Sequence, residues 1–187
     1  MRNIASIRLG ALFVSFTICL LLGSGCSTAP ATDTERKMLV DDSVSVLRQM
    51  KSEDATLTKF LATSRGYVVY PDASKGGLLL GAAYGRGVVF DTKGNFVGYA
   101  DLSQATVGLQ AGGQSFNELI VFESDKDFDR FVGGKLALAV NASAVVLKSG
   151  AAKSARYTDG VAVFISPTGG FMLEAAVGGQ QFTYLPK

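Results

Sequence analysis

From about Thr34 to Ser64 the apolar residues recur at helical spacing. Val40, Val44, Leu47 and Met50 are four and three positions apart and so share one helix face. Asp33, Glu35, Asp41 and Asp42 enrich the early turns, where the helix macrodipole favours anions. Ser52 is placed to cap a second segment that carries Leu57, Phe60 and Leu61 and stops at Gly66. From Tyr67 the period shortens to that of strands. "YVVYP", "GGLLLGAAYG", "RGVVFD", "FVGYADLSQATVGLQAGGQ", "ELIVFE", "LALAVNASAVVLK", "GVAVFISP" and "GFMLEAAVGG" are short β-rich runs parted by turn residues. "VVFDTKGNFVGYA" and "VAVFISPTGGFMLEAAV" read as hairpins. Strand after strand with short turns implies antiparallel pairing, because parallel neighbours need crossovers of roughly a dozen residues. One helix interrupts them in "ESDKDFDRFVGG". Ser124 is its N-cap with Asp127 three residues on, Phe128, Phe131 and Val132 share a face, and Gly133–Gly134 end it. The predicted class is α+β: a mainly antiparallel, barrel-like sheet with an N-terminal helix and one short inserted helix.

Residues 76–90, "GGLLLGAAYGRGVVF", hold five glycines and a single charge. Glycine of that density suits either a phosphate-cradling loop or strands that pass too close for side chains. The spacing of Gly81, Gly85 and Gly87 matches neither the dinucleotide fingerprint nor the P-loop, and a strand-like run follows where a phosphate site needs a helix. The expectation is therefore close strand packing. Asp125, Asp127 and Asp129 mimic the start of a calcium loop, but Arg130 and Leu136 stand where that loop needs Gly and Glu. Ser115 in "GGQSFNE" lacks the second glycine of a nucleophile elbow. The chain has no histidine, which excludes an imidazole base and the common triads. Asp91, Asp101, Glu118, Glu123 and Glu174 could pair for hydrolysis, but turn and strand-edge roles suit them better. No enzyme, metal or cofactor is expected.

The N-terminus reads differently. Residues 1–25 form a secretory signal peptide, with Arg2 and Arg8 ahead of the uncharged "LGALFVSFTICLLLGSG". "LLGSGC" resembles the lipobox of bacterial lipoproteins, which makes Cys26 the acylated residue. Residues 26–36 follow as a lipidated tether, and residues 37–187 as the domain. Loss of Arg2 and Arg8 leaves sixteen cations against sixteen anions, so the mature chain is neutral. Cys19 leaves with the leader, so no thiol remains for catalysis, metal or disulfide. Acyl chains hold a protein at a membrane without a spanning helix, and Ser27 after the cysteine favours the outer membrane, on its periplasmic face.

Between Asp129 and Asp159 there is no acidic residue. Lys148, Lys153 and Arg156 cluster there in the loop-like "LKSGAAKSAR", a candidate surface for anionic lipid headgroups. Arg48, Lys51 and Lys59 on the N-terminal helical segment form a second candidate group. Nucleic acid is not expected, since the patch is small and lacks interleaved aromatics.

Three glycine-rich blocks carry a resemblance: "GRGVVF" at 85–90, "GLQAGGQSFNELIVFES" at 108–124 and "GVAVFISPTGGFMLEAAVGGQQFTYLP" at 160–186. Together they resemble the SYLF domain, from about Asp41 to the C-terminus. The resemblance implies lipid binding. In its eukaryotic members a basic N-terminal helix assists that binding, whereas here Asp41, Asp42, Glu53 and Asp54 offset the helix cations. The function expected is a non-catalytic cell-envelope lipoprotein that binds phospholipid membranes. The alternatives are a structural protein with an envelope protein partner, and a carrier that encloses an acyl chain beside small residues such as Ala82, Ala83, Ala111 and Gly112.

Overall fold

A computed structural model of the chain describes residues 30–139 and 144–187. Helix α1 (Asp33–Glu53) and the short α2 (Leu57–Ala62) lead into strands β1 (Gly66–Gly77), β2 (Leu80–Asp91) and the long β3 (Phe96–Phe122). Helix α3 (Asp125–Val132), strands β4 (Ala137–Ala139) and β5 (Ala144–Val146), and the one-turn α4 (Ala151–Ser154) precede a second long strand, β6 (Val161–Pro186). Every element lies between Asp33 and Pro186, so residues 27–187 carry the whole described fold.

The α+β class with a mainly antiparallel sheet is what the structure has. β3 and β6 pair antiparallel along almost their full length, from Gly98↔Pro186 to Phe122↔Val161. The first half of β3 also pairs with β2, and its second half with β1, while β1 pairs with β2. One continuous strand therefore contributes twice to the sheet, and the sheet coils around a common interior. β4 and β5 occupy the outer edge of β6's two halves, and no pairing joins them among the described residues. The sheet is barrel-like but open.

Several sequence expectations change. The hairpin expected in "VAVFISPTGGFMLEAAV" is absent, because β6 runs through Pro167 and Gly170, whereas the "DTKGN" turn does make a hairpin, where Asp91 accepts from Lys93 N at 2.8 Å and Asn95 N at 2.9 Å. Ser52 does not cap α2. It lies in the last turn of α1 and donates to Gln49 O at 2.7 Å, because α1 runs on to Glu53. β5 pairs with β6 in parallel, the one exception to antiparallel order among the described residues. Helix α1 starts at Asp33, inside the segment assigned to the tether, with Thr32 and Glu35 forming a reciprocal capping box.

Two apolar layers follow. Leu47, Met50, Leu57, Leu61, Val69, Val88, Leu119, Val121 and Phe164 form the layer between the helices and the outer face of the sheet. Ser43 and Leu47 of α1 are buried and Val44 is exposed, so this helix packs on its own domain. Val68, Tyr70, Val89, Leu102, Phe116, Ile120, Phe122 and Phe182 fill the sheet interior. α3 closes one end of that interior with Phe131, whose ring lies 4.9 Å from Phe122 and 5.8 Å from Phe182. As expected, Ser124 caps α3 and accepts from Asp127 N. The opposite end, the apex, is where the β1–β2 turn meets the bends of β3 and β6.

Candidate functional site

Asp54 explains how the loop "LKSGAAKSAR" is held. It ends α1 and is buried, and its carboxylate accepts from Thr56 N at 2.9 Å and Thr56 Oγ1 at 2.6 Å. Across the chain it also accepts from Gly150 N at 3.2 Å and Ala152 N at 2.6 Å, amides at the start of α4. Burial opposes the charge on Asp54, but these hydrogen bonds outweigh it and hold the carboxyl below its ordinary range. One acid thereby clamps α4 onto the α1–α2 corner. What reads as a loop in the sequence is a fixed turn of helix.

The clamp brings two candidate cations together. Lys59 of α2 and Lys153 of α4 line one cleft of about 400 Å³, together with Thr56, Phe60 and Ala152. Phe60 is set by a tilted ring contact at 4.9 Å with Tyr157 and by an edge contact at 5.2 Å with Phe164. The cleft thus brings two lysines and an apolar ring into one lining. An anionic phosphate ester on an apolar stem suits that chemistry.

The other candidates lie elsewhere. Lys148 is exposed just before α4, and its carbonyl accepts from Ala151 N at 2.9 Å. Arg156 turns back and donates to Ala155 O at 2.8 Å. Arg48 is exposed and Lys51 half-buried on α1, and neither lines the cleft. Cys26 lies outside the described residues.

Replacing Asp54 with Asn removes the charge while keeping one acceptor. Such a change is expected to cost about 1–2 kcal/mol, the difference between charge-assisted and neutral hydrogen bonds. Urea unfolding at pH 7 measures it. The folded carboxyl titrates below its unfolded value, so its contribution is full above about pH 4 and lost as pH falls through the folded pKa. The gap between wild type and D54N should narrow steadily as pH falls below about 4.

Sequence reasoning placed Glu118 at a turn or strand edge, and the structure corrects this. Glu118 is fully buried in the sheet interior. Gln180 Nε2 donates to it at 3.3 Å and to Gln104 Oε1 at 3.1 Å, and Thr106 Oγ1 donates to Gln110 Oε1 at 2.9 Å. Burial pushes the Glu118 carboxyl up to about 7, against the Gln180 hydrogen bond and the field of Lys75, which favour its charge. From Gln104 to Gln110 every second position of β3 faces inward, so the polar half of the interior is legible as an alternation once the strand direction is known. Its carboxylate partner is not. Among the described residues no cluster of three or more His, Cys, Asp or Glu could hold a metal ion. No described helix is long and apolar enough to cross a membrane.

Of the small residues considered for an acyl-chain cavity, only Ala83 faces the interior, where it is packed in the core. Ala82, Ala111 and Gly112 are exposed.

Among curated proteins the chain is similar to beta cell expansion factor A of Aeromonas veronii, with 25% identity over 154 residues. The match covers 82% of this chain and 59% of that protein, so the chain spans about three-fifths of the relative's length. No family model matches.

Proposed function

We propose that this chain is a non-catalytic, SYLF-like domain of a cell-envelope lipoprotein that binds phospholipid surfaces. The observation that carries the reading is the convergence of Lys59 and Lys153, from segments far apart in the chain, on one cleft floored by Phe60. The resemblance of the glycine-rich blocks to the SYLF domain supports it. The candidate acylation site at Cys26 would set the domain at a membrane, on the periplasmic face of the outer membrane by the Ser27 rule, with anionic headgroups as the ligand.

The test uses residues 27–187, so that no acyl chain contributes. Flotation with vesicles of neutral and anionic phospholipid, across a salt series, should show binding to the anionic set that weakens with salt. Lys59→Gln with Lys153→Gln should weaken it about thirtyfold, since each cation near the surface contributes ~1 kcal/mol. Neutralising Lys148 and Arg156, or Arg48 and Lys51, should weaken it less, because neither pair shares the cleft. Binding unchanged by K59Q/K153Q would remove the cleft from the reading. No binding to either vesicle would turn the search to an envelope protein partner.

A further inference from the structure

At the apex, Leu78, Leu79, Leu80, Val107 and Leu109 are 69%, 62%, 71%, 61% and 72% exposed. Five large apolar side chains from two separate segments thus meet at one protruding end. Solitary exposed apolar residues need no account, but a contiguous set marks a contact surface. The sequence around them is free of charge from Gly76 to Gly85 and from Leu102 to Asn117. Lys75 on β1 is the half-buried charge next to the apex, and in β6 the register sets Glu174 opposite Gln110.

The outward rungs between β2 and β3 are graded. From the apex they run Leu80↔Val107, Ala82↔Ala105, Tyr84↔Ser103 and Arg86↔Asp101. These positions alternate with inward ones in both strands. The order is apolar, small, aromatic with a hydroxyl, then charged. Arg86 Nε donates to the Tyr84 hydroxyl at 3.1 Å, so the aromatic and the cation form one band. At about 3.4 Å rise per residue, Tyr84 stands ~14 Å and Arg86 ~20 Å from Leu80. One leaflet's hydrocarbon is about 15 Å deep, with aromatic and basic side chains favoured at its boundary.

Much of the backbone at the apex is paired within it. Leu78 N donates to Leu80 O at 3.2 Å, Gly108 N to Leu79 O at 3.0 Å, and Gln110 N to Leu78 O at 2.9 Å. A segment entering hydrocarbon needs this, since no water is there to pair its amides and carbonyls. A convex turn also suits a deformable medium better than a rigid protein face.

We infer that the apex is a membrane-inserting element: Leu78–Leu80, Val107 and Leu109 enter the hydrocarbon of one leaflet, and the Tyr84–Arg86 band sits at the headgroups. The inference rests on the phospholipid-surface reading and adds to it an apolar contact separate from the Lys59–Lys153 cleft. That cleft lies beside Phe164, several residues along β6 from the bend that reaches the apex.

Residues 27–187 contain no cysteine, so Leu79→Cys and Ser103→Cys each give one labelling site. With an environment-sensitive fluorophore on each, vesicles should shift the Leu79 label to the blue. A nitroxide within the acyl chains should quench that label strongly, and the Ser103 label little. The triple variant Leu78→Ser, Leu79→Ser and Leu109→Ser should keep the wild-type unfolding midpoint, because all three side chains are exposed. It should bind vesicles about a hundredfold more weakly, and the apolar share of wild-type binding should survive high salt. Vesicle binding with the Leu79 label left in water overturns the insertion and leaves the headgroup reading standing. Failure of wild type to bind any vesicle overturns that reading itself. A lipid-free dimer that the triple variant converts to monomer would assign the apex to a second copy of the chain and overturn the insertion.

Discussion

Raising the pH from 4.5 to 7 is expected to cost this protein about 3 kcal/mol of folding stability, and Glu118→Gln is expected to abolish most of that loss. The carboxyl of Glu118 is buried among Tyr70, Gln104 and Gln180, with Lys75 the nearest cation to act on it, and its pKa rises from 4.5 to about 7. The folded state therefore holds the proton more tightly than the unfolded chain does. Stability from this group is full below the unfolded pKa, falls as pH rises through the folded one, and levels off above it. The chain has no histidine to add a transition of its own in this window. Asp54 titrates below it, and Tyr70, whose hydroxyl burial drives well above its usual value, titrates above it. Urea midpoints at intervals of half a pH unit measure the effect. Wild type should decline while E118Q stays level, so that the variant is the more stable protein at pH 8. Parallel curves for the two would show that the carboxyl is not the group responsible.

The elements were legible where period and punctuation agree. α3 is announced by Ser124, its apolar face and Gly133–Gly134, and the β2–β3 turn by Asp91-Thr-Lys-Gly-Asn. The length of β3 and β6 was not legible. The runs "FVGYADLSQATVGLQAGGQ" and "ELIVFE" are one strand, in which Gly108 and Gly112 take φ of 150° and 120° where it bends and continues. Punctuation shows where a chain changes direction, and a sharp bend carries the same residues as a turn. Of the candidate site, Lys153 was legible as a cation in an acid-free stretch, and Lys59 as a cation of the N-terminal group. Their meeting was not. It depends on Asp54, whose role is a set of hydrogen bonds to amides almost a hundred positions away. The apex leucines were visible only as part of a glycine-rich run. Their exposure follows from strand alternation, which puts Gly81, Ala83, Gly85 and Gly87 inward and leaves Leu80, Ala82, Tyr84 and Arg86 outward.

That alternation also makes a single substitution on β2 costly. Gly87→Val is expected to cost at least ~3 kcal/mol, a large share of the ~5–15 kcal/mol that holds a domain of this kind together. A Cβ at Gly87 would lie 2.6 Å from Tyr70 Cδ1 and 2.7 Å from the Val69 carbonyl. The ring cannot retreat, because Tyr70 is fully buried and packs against Phe182 at 6.3 Å. The carbonyl cannot retreat without parting β1 from β2, whose register there is Val69↔Val88. The glycine is thus required by close approach, and its φ does not enter the argument. Gly76→Ala is the control. Its Cβ would meet nothing nearer than 3.6 Å, so it should change stability by no more than about 0.5 kcal/mol. Thermal or urea unfolding of the two variants separates a packing requirement from a general dependence on glycine. Two equal losses would mean that flexibility matters at both sites. Coupling supplies a stricter check: Gly87→Ala should cost less in a Tyr70→Leu background than in wild type, since the ring is half of the collision and the Val69 carbonyl the other. Simple additivity of those two substitutions would remove Tyr70 from the explanation.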